Sequence, residues 1–222
     1  LWFDLIKERY NPSNPKSAML RFHTQVAGVS LTAQQPLNNI ARVTIQALAA
    51  VCGGTQSLHT NSYDEALGLP TEKSATVALR TQQIIAEESG AADIVDPLGG
   101  SYHVEALTER IYQEAFSQIQ KIESLGGALA AIEQGWQQRE IHNAAFKHLM
   151  DVESGDRKIV GVNHGVMEDE TSTEVLQLDP AVGEMQCQRL ANLRESRDSV
   201  AAQKCIEAIA VAAAGTIHLF PL

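Results

Sequence analysis

Six side chains able to hydrogen-bond or to move protons fall in two short stretches: His23 and Gln25 in LRFHTQVAG, and Gln56, His59, Asn61 and Glu65 in GGTQSLHTNSYDEAL. Polar residues recur at every second position. In an extended chain, Arg21, His23 and Gln25 share one face, with Leu20, Phe22 and Val26 mainly on the other. Ser57, His59 and Asn61 share a face of the second stretch. Amides, imidazoles and a carboxylate gathered at strand ends can hold a polar ligand, and β/α barrels collect their sites at the C-terminal ends of the strands. The same groups could equally form a hydrogen-bonded core with loop caps. A protein-ligated metal is not expected: His23 and His59 could share a site, but no HxH, HExxH or CxxC spacing accompanies them.

The two stretches are joined by PLNNIARVTIQALAAV, in which Ile40, Val43, Ala47, Leu48 and Val51 repeat at helical spacing before Gly53 and Gly54 stop the helix. A β-α-β order of this kind predicts parallel neighbours in an α/β sheet, whose two faces are ordinarily covered by apolar contacts. Polar side chains on a covered face need partners, because burying one unpaired costs roughly 1–3 kcal/mol. A ligand or a water-filled channel would supply them.

Around this unit the spacing predicts a helix end over 1–10 closed by NPSNPK, a strand over about 18–26 and a second over 57–61. A helix capped by Thr71 should run to about Ser89, with a brief strand, DIV, before Asp96-Pro97. Beyond that the pattern is helical. One amphipathic helix covers 103–124, a second covers 128–153 and divides near Gly135, and two more cover about 180–196 and 199–214. KIVGVN reads as one further short strand, followed by the acidic loop VMEDETSTEV. The fold class expected is α/β: the C-terminal part of a (β/α)8 TIM-type barrel over 1–124, then a mainly helical extension over 125–222 with one short strand.

Other motifs carry less. DPLGGS at 96–101 could cradle a phosphate ahead of a helix, yet it matches neither GxGxxG nor GxxxxGK[ST] and reads better as a turn with a serine cap. Cys52 has no identifiable base beside it, and Trp136, His142 and His148 read as packing and surface residues. The net charge of −10 argues against non-specific binding to nucleic acid or an anionic membrane. No apolar run approaches the ~18–20 residues of a membrane span. Three widely spaced cysteines fit a reducing compartment, with cytoplasm as the default. The chain starts without Met, inside a helical pattern and without signal-peptide architecture, and is expected to be an internal fragment.

The ordered blocks LRFHTQVAGVSLTAQQP, GGTQSLHTNSYDEALGLPTEKSA and VDPLGGSYHVE resemble the adenosylcobalamin-dependent acyl-CoA mutases, in particular the large, catalytic chain of the methylmalonyl-CoA mutase type. IVGVN, the acidic loop and LDP resemble the region after that family's barrel, so the likeness spans nearly the whole chain and is strongest over Leu20–Glu105. It implies an isomerase with radical carbon-skeleton chemistry, and an atypical barrel lined by small hydrophilic side chains with the coenzyme A arm along its axis. By the same resemblance, Gln25 matches a glutamine at the corrin-facing mouth, where Gly28 permits close approach. Glu65 matches a glutamate contacting the adenosyl ribose with Asn61 beside it, Gln56 a pocket glutamine, and His23 and His59 are neighbours of less defined role.

DPLGG in place of a common DPWGG, and Val26 in place of a common Thr, leave methylmalonyl-, isobutyryl-, ethylmalonyl- and 2-hydroxyisobutyryl-CoA all open as substrates. No DxHxxG is present, so the cobalt ligand of the implied adenosylcobalamin (coenzyme B12) must come from a missing cobalamin-binding domain or another chain. The partners implied are an acyl-CoA substrate, that cobalamin-binding unit and a homologous chain in a dimer, and the chain alone is expected to be inactive. A non-catalytic partner subunit serving assembly is the alternative, and an unrelated helical scaffold a third.

Overall fold

A computed structural model describes residues 1–168 and 173–215. Two short strands, β1 (His23–Gln25) and β2 (Ser57–His59), pair in parallel, with His23 opposite Ser57, Thr24 opposite Leu58 and Gln25 opposite His59. The crossover between them is helix α2 (Asn38–Cys52), and helix α3 (Glu72–Glu88) follows β2. Both helices lie on the side of Thr24 and Leu58. Val26, Leu31, Val43, Ala47 and Ile85 form the buried core there, with Val51 and Leu58 packed against it. The 39–43–47 spacing of α2 gives its buried stripe, because residues four apart stand over one another on a helix.

The expected two-sided cover is not found. His23, Gln25, Ser57 and His59 are exposed, while Thr24 and Leu58 between them are half-buried. Exposed polar groups keep their hydration, so nothing in these residues forces a partner onto that face. The expectation of the C-terminal part of a barrel is met as far as a parallel β/α pair and no further. Closing a barrel takes eight strands, and the described residues supply one parallel pair.

Two further strand expectations fail for a common reason. DIV is a 3-10 turn (Ala91–Asp93) running into bends, and Val95 is 97% exposed. KIVGVN is a turn closed by a single bridge between Val160 and His164. Apolar β-branched residues persist as strand only where a neighbouring ladder takes up their backbone groups, and none adjoins either segment among the described residues.

Helix termini follow local chemistry closely. The Thr71 hydroxyl accepts from Ser74 N at 3.2 Å and donates to Ser74 Oγ at 3.1 Å, while its own N–H donates to Asp64 Oδ2 at 3.3 Å. Thr71→Ala is expected to lower stability by about 1 kcal/mol, the usual worth of a lost cap, measurable by urea denaturation. Helix α4 (Tyr102–Ser124) starts at Ser101, whose Oγ accepts from Val104 N. Gly126 and Gly127, with φ of 101° and 95°, then turn the chain into α5 (Ala128–Glu133), and Gly135 (φ 68°) turns it into α6 (Trp136–Glu153). Helix α1 (Trp2–Tyr10) is tied to α4 by an Arg9–Glu123 ion pair and by Tyr112, whose hydroxyl donates to Asp4 at 3.1 Å.

The chain divides into two compact units, Leu1–Leu176 and Gln177–Leu222. The second holds α7 (Pro180–Ser196) and α8 (Ser199–Ala213), each begun by an aspartate cap, Asp179 and Asp198. The expected acidic loop lies partly outside the described residues, at 169–172.

Candidate functional site

At the C-terminal ends of β1 and β2 the chain opens a cleft of about 420 Å³, lined by Gln25, His59, Thr60, Ser62 and Glu65 with Leu79 and Gln82 of α3 among its wall. Polarity and position have one origin. The strands end where their pairing ends, and the loops leaving them carry hydrogen-bonding side chains over the sheet edge.

Asn61 is bonded to Gln25 of the cleft wall and is itself buried, 2% exposed. Its Nδ2 donates to Val26 O at 3.2 Å, and its Oδ1 accepts from Gln25 Nε2 at 3.4 Å, so it joins the ends of both strands. Gly28 closes over it. A Cβ built there would stand 2.9 Å from Asn61 Nδ2 and 3.5 Å from Glu65 Oε1, whereas φ at Gly28 is not left-handed. The glycine is therefore required for close approach and not for backbone freedom. Glu65 presents an exposed carboxylate beside this junction.

Gln25, Gly28, Asn61 and Glu65 are thus brought together, and His59 joins them on the cleft wall. His23 lies one rung below, with Nδ1 2.7 Å from Ser57 Oγ across the pair. Gln56 is set apart. It precedes β2, at the opposite strand end, where its Oε1 accepts from Phe22 N at 2.7 Å and its Nε2 donates to Gly54 O at 2.9 Å. Its amide completes the backbone pairing at the foot of β1.

The 96–101 loop is not free to cradle an anion. Gly100 N donates to Glu105 Oε1 at 3.1 Å, and a Cβ at Gly99 would meet Asp96 Oδ2 at 2.7 Å, so the chain's own carboxylates occupy it.

Asn39, Arg42 and Asp64 carry the site's support and were not among the expected residues. Asn39 is fully buried, with Nδ2 donating to Thr32 O at 2.8 Å and Tyr63 O at 2.9 Å. Its Oδ1 accepts from Thr32 N at 3.1 Å and from Arg42 at 2.7 Å. Asp64, 1% exposed, accepts Leu67 N and Gly68 N at its carbonyl, and its Oδ1 is buried without a hydrogen-bond partner. The signal for Asn39 was present in the sequence, as a polar residue four positions ahead of Val43 on the buried stripe.

A parallel βα unit with a polar cleft at its strand ends is of the general β/α class, whose members commonly place ligand sites beyond the carboxyl ends of their strands. The family is shown by comparison: the model described as methylmalonyl-CoA mutase matches residues 1–222, and the chain belongs to that family. It is 50% identical over 223 residues to the probable mitochondrial methylmalonyl-CoA mutase of Caenorhabditis elegans, covering 100% of the chain and 30% of that protein. It is 48% identical to the mitochondrial methylmalonyl-CoA mutase of Bos taurus, covering 96% and 29%. Against the 2-hydroxyisobutanoyl-CoA mutase large subunit of Aquincola tertiaricarbonis it is 44% identical, covering 98% and 39%. The chain therefore spans about a third of the length of these relatives.

The cytoplasmic expectation is corrected here, since the nematode and bovine relatives are both named as mitochondrial. Three free cysteines indicate reducing surroundings without distinguishing one such compartment from another.

Proposed function

We propose that residues 1–124 supply the last β/α units of the catalytic barrel of a coenzyme-B12-dependent acyl-CoA mutase of the methylmalonyl-CoA/succinyl-CoA type, and that 125–222 form the helical linker after it. The observation that carries this reading is the placement of Gln25 and Glu65 on one cleft at the strand ends, with buried Asn61 bonded to Gln25 and Gly28 packed against Asn61 and Glu65.

The residues suit an adenosylcobalamin face. Glu65 offers an exposed carboxylate, an acceptor for two ribose hydroxyl donors. Asn61 is held rigid beside it by its bond to Val26 O. Gly28 lets the β1 loop close onto Asn61 and Glu65, an approach that a Cβ there would prevent. Gln25 stands at that mouth with its amide lightly held by a 3.4 Å bond. When bound, the cofactor supplies the radical chemistry of carbon-skeleton isomerisation, and the protein orients it and excludes water.

His23 and His59 lie on the open sheet face, which in a completed barrel would turn toward the coenzyme A arm of the substrate. Gln56 holds the foot of the strand pair, and contact with substrate there would require exchange of its backbone bonds. The cobalt ligand comes from a cobalamin-binding domain or subunit, and a homologous chain completes a dimer. Retention of Gln25 and Glu65 on one cleft, with Asn61 bonded to Gln25 behind it, favours the catalytic chain over a non-catalytic assembly partner, which has no use for such a cleft.

The test is turnover. The complete enzyme containing this chain, given adenosylcobalamin and methylmalonyl-CoA, should form succinyl-CoA, and the isolated 222 residues should form none. Absence of isomerisation in the complete enzyme, or activity in the isolated chain, would overturn the reading.

A further inference from the structure

Two loops must keep a fixed separation for the cleft to exist: the one leaving β1, which carries Gly28, and the one leaving β2, which carries Asn61 and Glu65. Asn39 is a fully buried side chain that bonds to both. Its Nδ2 bridges Thr32 O of the first loop and Tyr63 O of the second, at 2.8 and 2.9 Å. Tyr63 lies midway between Asn61 and Glu65 in sequence, so a bond to its carbonyl holds the segment that carries both.

Arg42, one turn further along α2, fixes the orientation of that amide. Its guanidinium donates to Asn39 Oδ1 at 2.7 Å, to Thr32 Oγ1 at 2.9 Å and to Val160 O at 2.7 Å. Because Arg42 can only donate, Asn39 must present its oxygen to it and therefore its NH2 to the two carbonyls. The Val160 turn is itself pinned to the first loop by Gln35 Nε2, which donates to Gly165 O at 2.8 Å. A planar fork holding three acceptors from two distant segments is pre-organised in a way a lysine cannot reproduce.

We propose that Asn39 is a positioning residue for the adenosyl-facing cleft, with Arg42 setting its amide and coupling it to the 157–165 turn. The inference rests on the cofactor reading above. It concerns the geometry presented to the adenosyl group, so its effect should be selective for cobalamins that carry one.

The experiment uses the complete enzyme and measures equilibrium binding of adenosylcobalamin and of hydroxocobalamin by absorbance, for wild type, Asn39→Asp, Arg42→Lys and Glu65→Ala. Asn39→Asp keeps the shape and loses both donations. It should weaken adenosylcobalamin binding roughly tenfold, the worth of two hydrogen bonds, and leave hydroxocobalamin within about twofold. Arg42→Lys should shift the same preference in the same direction by a smaller factor, and it decides the matter if Asn39→Asp does not fold.

Equal loss toward both cobalamins would mean general damage and would overturn the inference, as would unchanged binding of both. If Glu65→Ala keeps the wild-type preference for the adenosyl form, the cofactor reading fails and this inference with it. If Glu65→Ala loses that preference while folded Asn39→Asp and Arg42→Lys retain it, the positioning role alone is refuted.

Discussion

Glu65→Ala in the complete enzyme should lower kcat/KM by roughly thirtyfold, the equivalent of about 2 kcal/mol for a charge-assisted hydrogen bond made to a ligand. The side chain is exposed beside Gly28 and Asn61 and makes no hydrogen bond that the cleft depends on, its backbone N–H donating to Ser62 O at 3.1 Å. Removing the carboxylate should therefore leave the melting temperature within about a degree, as surface substitutions away from special features do. The loss should fall on adenosylcobalamin affinity and turnover together, with little change in KM for the acyl-CoA. Steady-state kinetics with a melting curve separates the outcomes. A variant with wild-type kinetics would remove Glu65 from the site, and one that melts early would mean the residue is structural.

Gly28→Ala should be the more damaging change for its size. One methyl group would lie 2.9 Å from Asn61 Nδ2, and Asn61 is buried and bonded to Val26 O, so it can swing aside only by giving up that bond. Overpacking of this kind costs about 1–3 kcal/mol. Either the β1 loop retreats or Asn61 loses its carbonyl, and both open the junction on which the cofactor would rest. Adenosylcobalamin binding should weaken at least tenfold, together with a fall in melting temperature. Gly183→Ala is the matched control: it lies within α7 with nothing inside 4 Å of an added Cβ, and should stabilise by about 0.5–1 kcal/mol, as Ala does over Gly in a helix. Equal tolerance at the two positions would mean that Gly28 is not held against its neighbours.

Local signals were strongly legible in the sequence. Thr71 and Ser101 cap their helices through short-range bonds that any neighbouring fold would preserve, and Gly126, Gly127 and Gly135 break them where left-handed backbone is needed. The cleft residues Gln25, Asn61 and Glu65 were legible through family resemblance, whereas alternation alone placed His23 and Gln25 on one face without saying what that face meets. What could not be read depends on partners far along the chain. Ile94, Val95 and the KIVGVN segment have strand composition and, among the described residues, no ladder to join. Gln56 shares the pocket-like chemistry of its neighbours, yet a position before β2 commits its amide to Phe22 and Gly54. Asn39 showed in the sequence only as a polar residue on an apolar helical stripe, and its role makes sense only once the two carbonyls it joins are in place.

A crystal structure of the complete enzyme with adenosylcobalamin bound tests the central claim most directly. The account predicts the adenosyl ribose within hydrogen-bonding distance of Glu65 and Asn61, with the corrin ring lying against Gly28 and Gln25. An ordered adenosyl group seated elsewhere, with these four residues facing solvent or another chain, would contradict it.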